Sequence, residues 1–291
     1  MSEQLDRFSN CMCTDTRVGR VAFPVVDPYL LKALAECGDY CHGEMMVQER
    51  LVRPGSVVLD VGANIGLMSL HLSRLVGEAG TVHAFEPSPF AFGLLRHNLE
   101  ANGVRNVLPR RAAVSEHSGR TEFADPDPEK ISRFNFGVLS LDSRISGSGG
   151  RNVETEVVTV DSLDLEYCAF IKVDVEGFEA AVVRGAARTI ERCLPVLSLE
   201  IGDPQHDGTW LPFLRGLGYR IFGVSTFIFT APNFKGRAIE GFPMVVCVNA
   251  FALPPGMSHM ELLDGIPREE FPGEAELQAF NSRYRRGNLQ A

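Results

Sequence analysis

Five acids stand in or just after short apolar runs: Asp60 within Val57-Val58-Leu59-Asp60-Val61, Glu86 after Thr81-Val82-His83-Ala84-Phe85, Asp174 and Glu176 after Phe170-Ile171-Lys172-Val173, and Glu200 after Val196-Leu197-Ser198-Leu199. Such runs read as strands of a parallel sheet buried on both faces, and acids at their carboxyl ends fall on one edge, where ligands of these sheets bind. Carboxylates gathered there can hold a cation, accept ribose hydroxyls or take a proton.

The first run leads into Gly62-Ala63-Asn64-Ile65-Gly66 and then Leu67-Met68-Ser69-Leu70-His71-Leu72 at helical spacing, a strand, a tight turn and a helix. G-x-G-x-x-G fits in neither register. With Gly62 as the middle glycine the flanking positions are Asp60 and Ile65, and with Gly62 first they are Asn64 and Leu67. Gly-Lys-Ser/Thr is absent as well. A carboxylate at Asp60 aimed at the ligand would repel a pyrophosphate and attract a cation. Asp60 beside the Gly62 and Gly66 turn therefore suits S-adenosylmethionine, which carries an ammonium and a sulfonium and no phosphate. The plain alternative is that the glycines only shape the turn and Asp60 caps the helix.

Glu86, 26 residues beyond Asp60, can accept both hydroxyls of a ribose, and Pro87 fixes the exit from the strand. Nicotinamide folds make the same demand, so Glu86 points to an adenosine ligand without choosing the cofactor; it could also merely cap a helix. The small residues Ala112 and Ala113, with Val114, would let a flat adenine lie against the backbone.

The elements that must position these groups fit one large α/β domain with extensions: the chain has 291 residues, 45% hydrophobic and 22% charged. Residues 1–52 are expected to form an irregular arm followed by two helices covering the cofactor pocket. Residues 53–253 are expected to form the main domain, with a hairpin insertion at about 116–160 that presents Phe134-Asn135-Phe136 to a substrate, and 254–291 a charged, partly helical extension. A net charge of -9 without a basic run argues against a nucleic-acid partner. No stretch reaches the roughly 18 apolar residues that span a bilayer, and the N-terminus lacks an apolar secretory core, so no membrane partner and a cytoplasmic address are expected. Seven cysteines read as reduced, and the spacings Cys11-x-Cys13 and Cys37-x-x-x-Cys41 read as small buried side chains rather than zinc ligands.

Five segments in this order, Val58 to Gly66, Phe85-Glu86-Pro87, Asn98-Leu99-x-x-Asn102, Thr159-Val160-Asp161-Ser162-Leu163 and Ile171-Lys172-Val173-Asp174-Val175-Glu176-Gly177-Phe178-Glu179, resemble the FkbM-type family of S-adenosylmethionine-dependent methyltransferases over roughly residues 40–250. The resemblance implies a Rossmann-like class I methyltransferase sandwich: a seven-stranded, mostly parallel sheet with an antiparallel C-terminal hairpin, for which Gly218 to Phe229 and Met244 to Phe251 are the strand-like candidates. It places the methionine end of the cofactor near Asp60, Gly62, Asn64 and Gly66, the ribose on Glu86, and the adenine beside Ala113 and Val114. Asp174 would lie next to the methionine ammonium or the transferred methyl, with Glu44 approaching from the N-terminal segment.

The resemblance further implies a hydroxyl acceptor on a small molecule, natural product or glycan, with S-adenosylhomocysteine as product. Groups that could orient or deprotonate the acceptor are Asp174, Glu176, Glu200 and His206; His206 has the best ordinary pKa, though a loop histidine is commonly just exposed. Asp174, Glu200 and Asp203 could ligate a divalent cation, but Glu176-Gly177 fit better as the start of a helix and no metal is expected. A homodimer, an N- or C-methyltransferase on the same fold, a nicotinamide-dependent oxidoreductase and a non-catalytic nucleotide-binding module stay open.

Overall fold

The computed structural model describes residues 8, 10–125, 151–201, 208–239, 246–258, 264, 266 and 268–280. The chain begins with β1 (Cys11–Thr16), β2 (Gly19–Pro24), α1 (Pro28–Leu30), a π-helical stretch over Leu31–Cys37, and α2 (His42–Leu51). Then follow β3 (Val57–Val61), α3 (Leu67–Val76), β4 (Thr81–Phe85), α4 (Pro89–Ala101), β5 (Val107–Arg110), β6 (Ala112–Val114), β7 (Gly119–Asp125) and β8 (Arg151–Val158). The remainder is β9 (Phe170–Val173), α5 (Glu179–Gly185), α6 (Ala187–Cys193), β10 (Val196–Glu200), α7 (Leu211–Gly216), β11 (Arg220–Phe227), β12 (Val246–Leu253) and β13 (Arg268–Glu270).

The main sheet has the order β5-β4-β3-β9-β10-β12-β11-β13. Its first five strands are parallel, while β12 runs antiparallel to both β10 and β11. The fold is thus the expected Rossmann-like α/β sandwich, with eight strands among the described residues rather than seven. The extra strand, β13, lies in the C-terminal extension and pairs antiparallel with β11. Arg268-Glu269-Glu270 has no apolar alternation to betray a strand, and its charges suit a sheet edge.

Strand pleat sorts the central side chains onto two faces. Val58 and Phe170 enter a core shared with α2, α3 and α4, whereas Leu59, Val61, Ile171 and Val173 enter a second core with α5, α6 and α7. The same alternation puts Asp60 and Lys172 on the first face, directly opposite each other in the β3–β9 pairing. Both cores cover the sheet, which is why its strands read as near-continuous apolar runs.

The N-terminal residues expected to be irregular instead form the β1–β2 hairpin, and Val21, Ala22 and Phe23 are fully buried. Asn98 of α4 ties the hairpin to the domain. Its Oδ1 accepts the Ala22 N–H at 2.7 Å, and its Nδ2 donates to the carbonyls of Ala22 and Ile65 at 3.0 and 2.8 Å. Asn98→Ala leaves these backbone groups buried and unpaired, so a loss of about 1–3 kcal/mol in denaturant unfolding is expected.

The helical stretch after β9 is split at Ala186 into α5 and α6. In the 116–160 region β7 and β8 pair antiparallel, with β6 added parallel to β8; Phe134, Asn135 and Phe136 lie outside the described residues. Among the described residues no helix is long and apolar enough to cross a membrane.

Candidate active site

The carboxyl ends of β3, β4, β9 and β10 open onto a cavity of about 250 Å³, which Leu30, Tyr40, Cys41 and Glu44 of the N-terminal segment also line. Gly62 leaves β3 with φ of 84°, and a Cβ there would collide with the Asp174 carbonyl oxygen, so only glycine lets the ends of β3 and β9 approach this closely. Asn64, Glu176 and Cys41 also line the cavity and all have left-handed backbone, with φ of 49°, 49° and 50°. Conformations of this kind are held in place by surrounding contacts and gather at ligand sites.

Glu86 emerges from β4 almost fully buried. Its Oε2 accepts the Asn64 N–H and its Oε1 the Ser88 N–H, each at 2.8 Å. Burial pushes the carboxyl up to about 7 despite those two donors. Ser88 in turn caps α4 by accepting the Ala91 N–H, with Pro89 opening the helix. Phe85, Pro87, Ala113 and Val114 supply the apolar walls beside Glu86.

A second polar group lies at the end of β9. Lys172 is 3% exposed, and its Nζ donates to Asp174 Oδ2 at 2.9 Å. Burial works against its charge, but Asp174, Glu44 and Asp60 outweigh burial and hold the ammonium above its ordinary pKa. Burial likewise disfavours ionised Asp174, yet Lys172 and a hydrogen bond from Glu200 keep it below the usual carboxylate range. Glu200 is pushed well above that range by burial and by the Asp174 charge, so it carries the proton of the pair. Burial also pushes Glu44 up to about 7, against the pull of Lys172.

Glu179 shapes the turn that presents these groups. Its carboxylate accepts the N–H of Val175 at 3.3 Å and of Gly177 at 3.1 Å.

The structure brings together Glu44, Gly62, Asn64, Glu86, Pro87, Ala113, Val114, Asp174 and Glu200 around one cavity. Two expected ligand groups stand elsewhere. Asp60 is fully buried on the first face of the sheet, where its Oδ2 accepts Ser69 Oγ at 2.6 Å, and it is not among the lining residues. Its short side chain ends at Ser69, whereas the longer Lys172, paired directly opposite it, reaches the cavity. Gly66 starts α3 with φ of 91°, and a Cβ there would press on Leu95 of α4 at 2.6 Å, so its glycine serves helix packing. His206 and Asp203 lie outside the described residues.

Lys172, Tyr40, Cys247 and Asn249 line the cavity without having been singled out in the sequence. Only Lys172 had a visible signal, a lysine inside an otherwise apolar strand. The carboxylates of Asp174, Glu176 and Glu200 lie within 4.8 Å of one another, a donor set that could ligate a divalent cation in place of the shared proton.

This sheet order, with its cavity at the carboxyl ends of the strands, agrees with what the motifs implied. The description "Methyltransferase FkbM domain" matches residues 60–221. The chain belongs to the FkbM methyltransferase family. It is 31% identical over 199 residues to 31-O-demethyl-FK506 methyltransferase FkbM of Streptomyces tacrolimicus, covering 58% of this chain and 75% of that one. It is 29% identical over 137 residues to the hexuronic acid methyltransferase AglP of Haloferax volcanii, covering 46% of this chain and 52% of that protein. The solved FkbM methyltransferase of Methylobacillus flagellatus KT aligns with a TM-score of 0.40 at 18% identity, covering 69% of this chain and 48% of that one. Membership of that family makes the chain a methyltransferase.

Proposed function

We propose that this protein transfers the methyl group of S-adenosylmethionine to a hydroxyl oxygen of a small molecule or sugar. The observation that carries the reading is the Lys172–Asp174–Glu200 chain at the mouth of β9 and β10, where one carboxylate is held ionised beside another that holds a proton. The residues present fit the cofactor. Five carboxyl groups and one ammonium among the described lining residues favour a cation over a phosphate, and Glu86 offers an acceptor pair between apolar walls. Glu86 would hold the ribose, Ala113 and Val114 the adenine, and Asp174 with Glu44 the methionine ammonium.

When bound, the cofactor supplies an electrophilic methyl carbon on a sulfonium. The chain must align an acceptor oxygen with that carbon and receive its proton. Asp174, held ionised beside Lys172, can accept a hydrogen bond from the acceptor hydroxyl and orient it; because Glu200 already carries a proton, Asp174 is the carboxylate left to take up the proton that is released. The names of two relatives, one acting at a 31-O position and one on a hexuronic acid, support an oxygen acceptor.

The test is calorimetry followed by product analysis. S-adenosylhomocysteine is expected to bind and NAD to give no heat. With isotopically labelled methyl donor and a panel of hydroxylated acceptors, the label is expected in an ether. Label on nitrogen or carbon would replace the oxygen acceptor, and binding of NAD in place of adenosylhomocysteine would remove the methyl-transfer reading.

A further inference from the structure

Two thiols meet in the cavity from elements far apart in the chain. Cys41 precedes α2, and Cys247 is the second residue of β12. Their Sγ atoms are 2.7 Å apart, and neither is bonded to another cysteine. A disulfide needs about 2.05 Å between sulfurs, a small further approach. Cys41 is buried and Cys247 half-buried, and both line the cavity.

Their positions matter because of what they would join. The N-terminal segment that roofs the cavity is already stitched to the stretch after β11. Lys235 Nζ donates to Thr14 Oγ1 at 2.6 Å and to the carbonyls of Leu34 and Ala35 at 3.0 and 2.9 Å. The Phe234 N–H donates to Asp39 at 2.6 Å. Cys41 sits at the inner end of this roof, and Cys247 on the sheet beneath it.

We propose that Cys41 and Cys247 form a reversible disulfide that fastens the roof to the sheet across the cavity and slows the passage of ligand in and out. The oxidant is a low-molecular-weight disulfide, RSSR. The Cys247 thiolate attacks one of its sulfurs and expels RS⁻, giving a mixed disulfide. Cys41 then loses its proton and displaces the second RS⁻, so the two thiols become one disulfide while RSSR is reduced to two RSH; excess thiol reverses both steps. The order follows from the environments, since the hydrogen bond to Cys247 and burial hold the Cys41 thiol well above its ordinary pKa. The cross-link stands by itself, whereas its effect on ligand exchange rests on the methyl-transfer reading above.

The reduced full-length protein is incubated with oxidised glutathione, digested without reduction and mapped by mass spectrometry, while release of adenosylhomocysteine is followed by stopped-flow fluorescence. A Cys41–Cys247 peptide pair is expected, together with release slowed about tenfold and restored by dithiothreitol, because a pinned cover limits exchange. Cys41→Ser and Cys247→Ser should each lose the peptide pair and the response to oxidant, every variant being compared with itself before treatment. Glutathione found on Cys11, Cys13 or Cys193 with no Cys41–Cys247 pair would overturn the proposal, and so would the pair forming with release unchanged. If the reduced protein binds no adenosylhomocysteine, the cofactor reading fails, and the peptide map alone decides the cross-link.

Discussion

Replacing Lys172 with methionine is expected to cost about 3–5 kcal/mol of folding stability near neutral pH, roughly a third of what a typical domain has. Methionine keeps the length and apolar stem of the side chain, so the change isolates the charge. Lys172 is the cation against which Asp174, Glu44 and Asp60 are all balanced, and removing it leaves the buried Glu44 and Asp60 and the half-buried Asp174 without a counter-charge. The sign of the pH dependence distinguishes this from lost packing. Without the ammonium the folded-state pKa values of the acids rise, and a raised acid contributes stability at low pH that disappears as pH climbs through its folded value. The deficit of the variant should therefore be small near pH 5 and large near pH 8, measured by urea unfolding. An equal deficit at both would show that Lys172 acts through packing alone.

The second large effect is expected on ligand binding. Glu86→Gln should weaken adenosylhomocysteine binding by about 10- to 10²-fold, because two hydrogen bonds to a charged acceptor are each worth about 1.5–3 kcal/mol and an amide oxygen can replace only one of them. The wild-type protein should itself lose affinity on acidification below about 7, where its Glu86 carboxyl takes up a proton, whereas the glutamine variant should not. Stability of the ligand-free protein moves the opposite way. The folded pKa of about 7 lies above the ordinary 4.5, so the contribution of Glu86 is fully present below about 4.5 and is lost as pH rises through about 7. Titration calorimetry between about pH 5.5 and 8 checks the first statement, and thermal unfolding of both proteins over the same range checks the second. Pocket affinity that is flat with pH in the wild type would place the ribose elsewhere.

These two residues were unequally visible in the sequence. Glu86 could be read because its position depends on its own strand: an apolar run, then an acid, then Pro87. Lys172 could be seen as an oddity, yet its partners Glu44, Asp60 and Asp174 come from three elements, and only the β3–β9 register and the placement of α2 bring them together. Asp60 shows the converse. Its type and spacing suggested a ligand contact, whereas the fold directs its Oδ2 to Ser69. The β1–β2 hairpin and β13 escaped notice because their residues are mixed or charged and gain their burial or pairing from α4 and β11, not from a periodic pattern.

The amino-acid sequence by itself determined the parallel strands, the turns after them and the family, since apolar runs, left-handed glycines and acids at strand ends are properties of short contiguous segments. The tertiary structure decided which of those acids face the cavity, which cation balances them, and that Cys41 meets Cys247. Those outcomes depend on contacts between residues far apart in the chain, where a shift of one position in strand pairing moves a side chain from the ligand to the core.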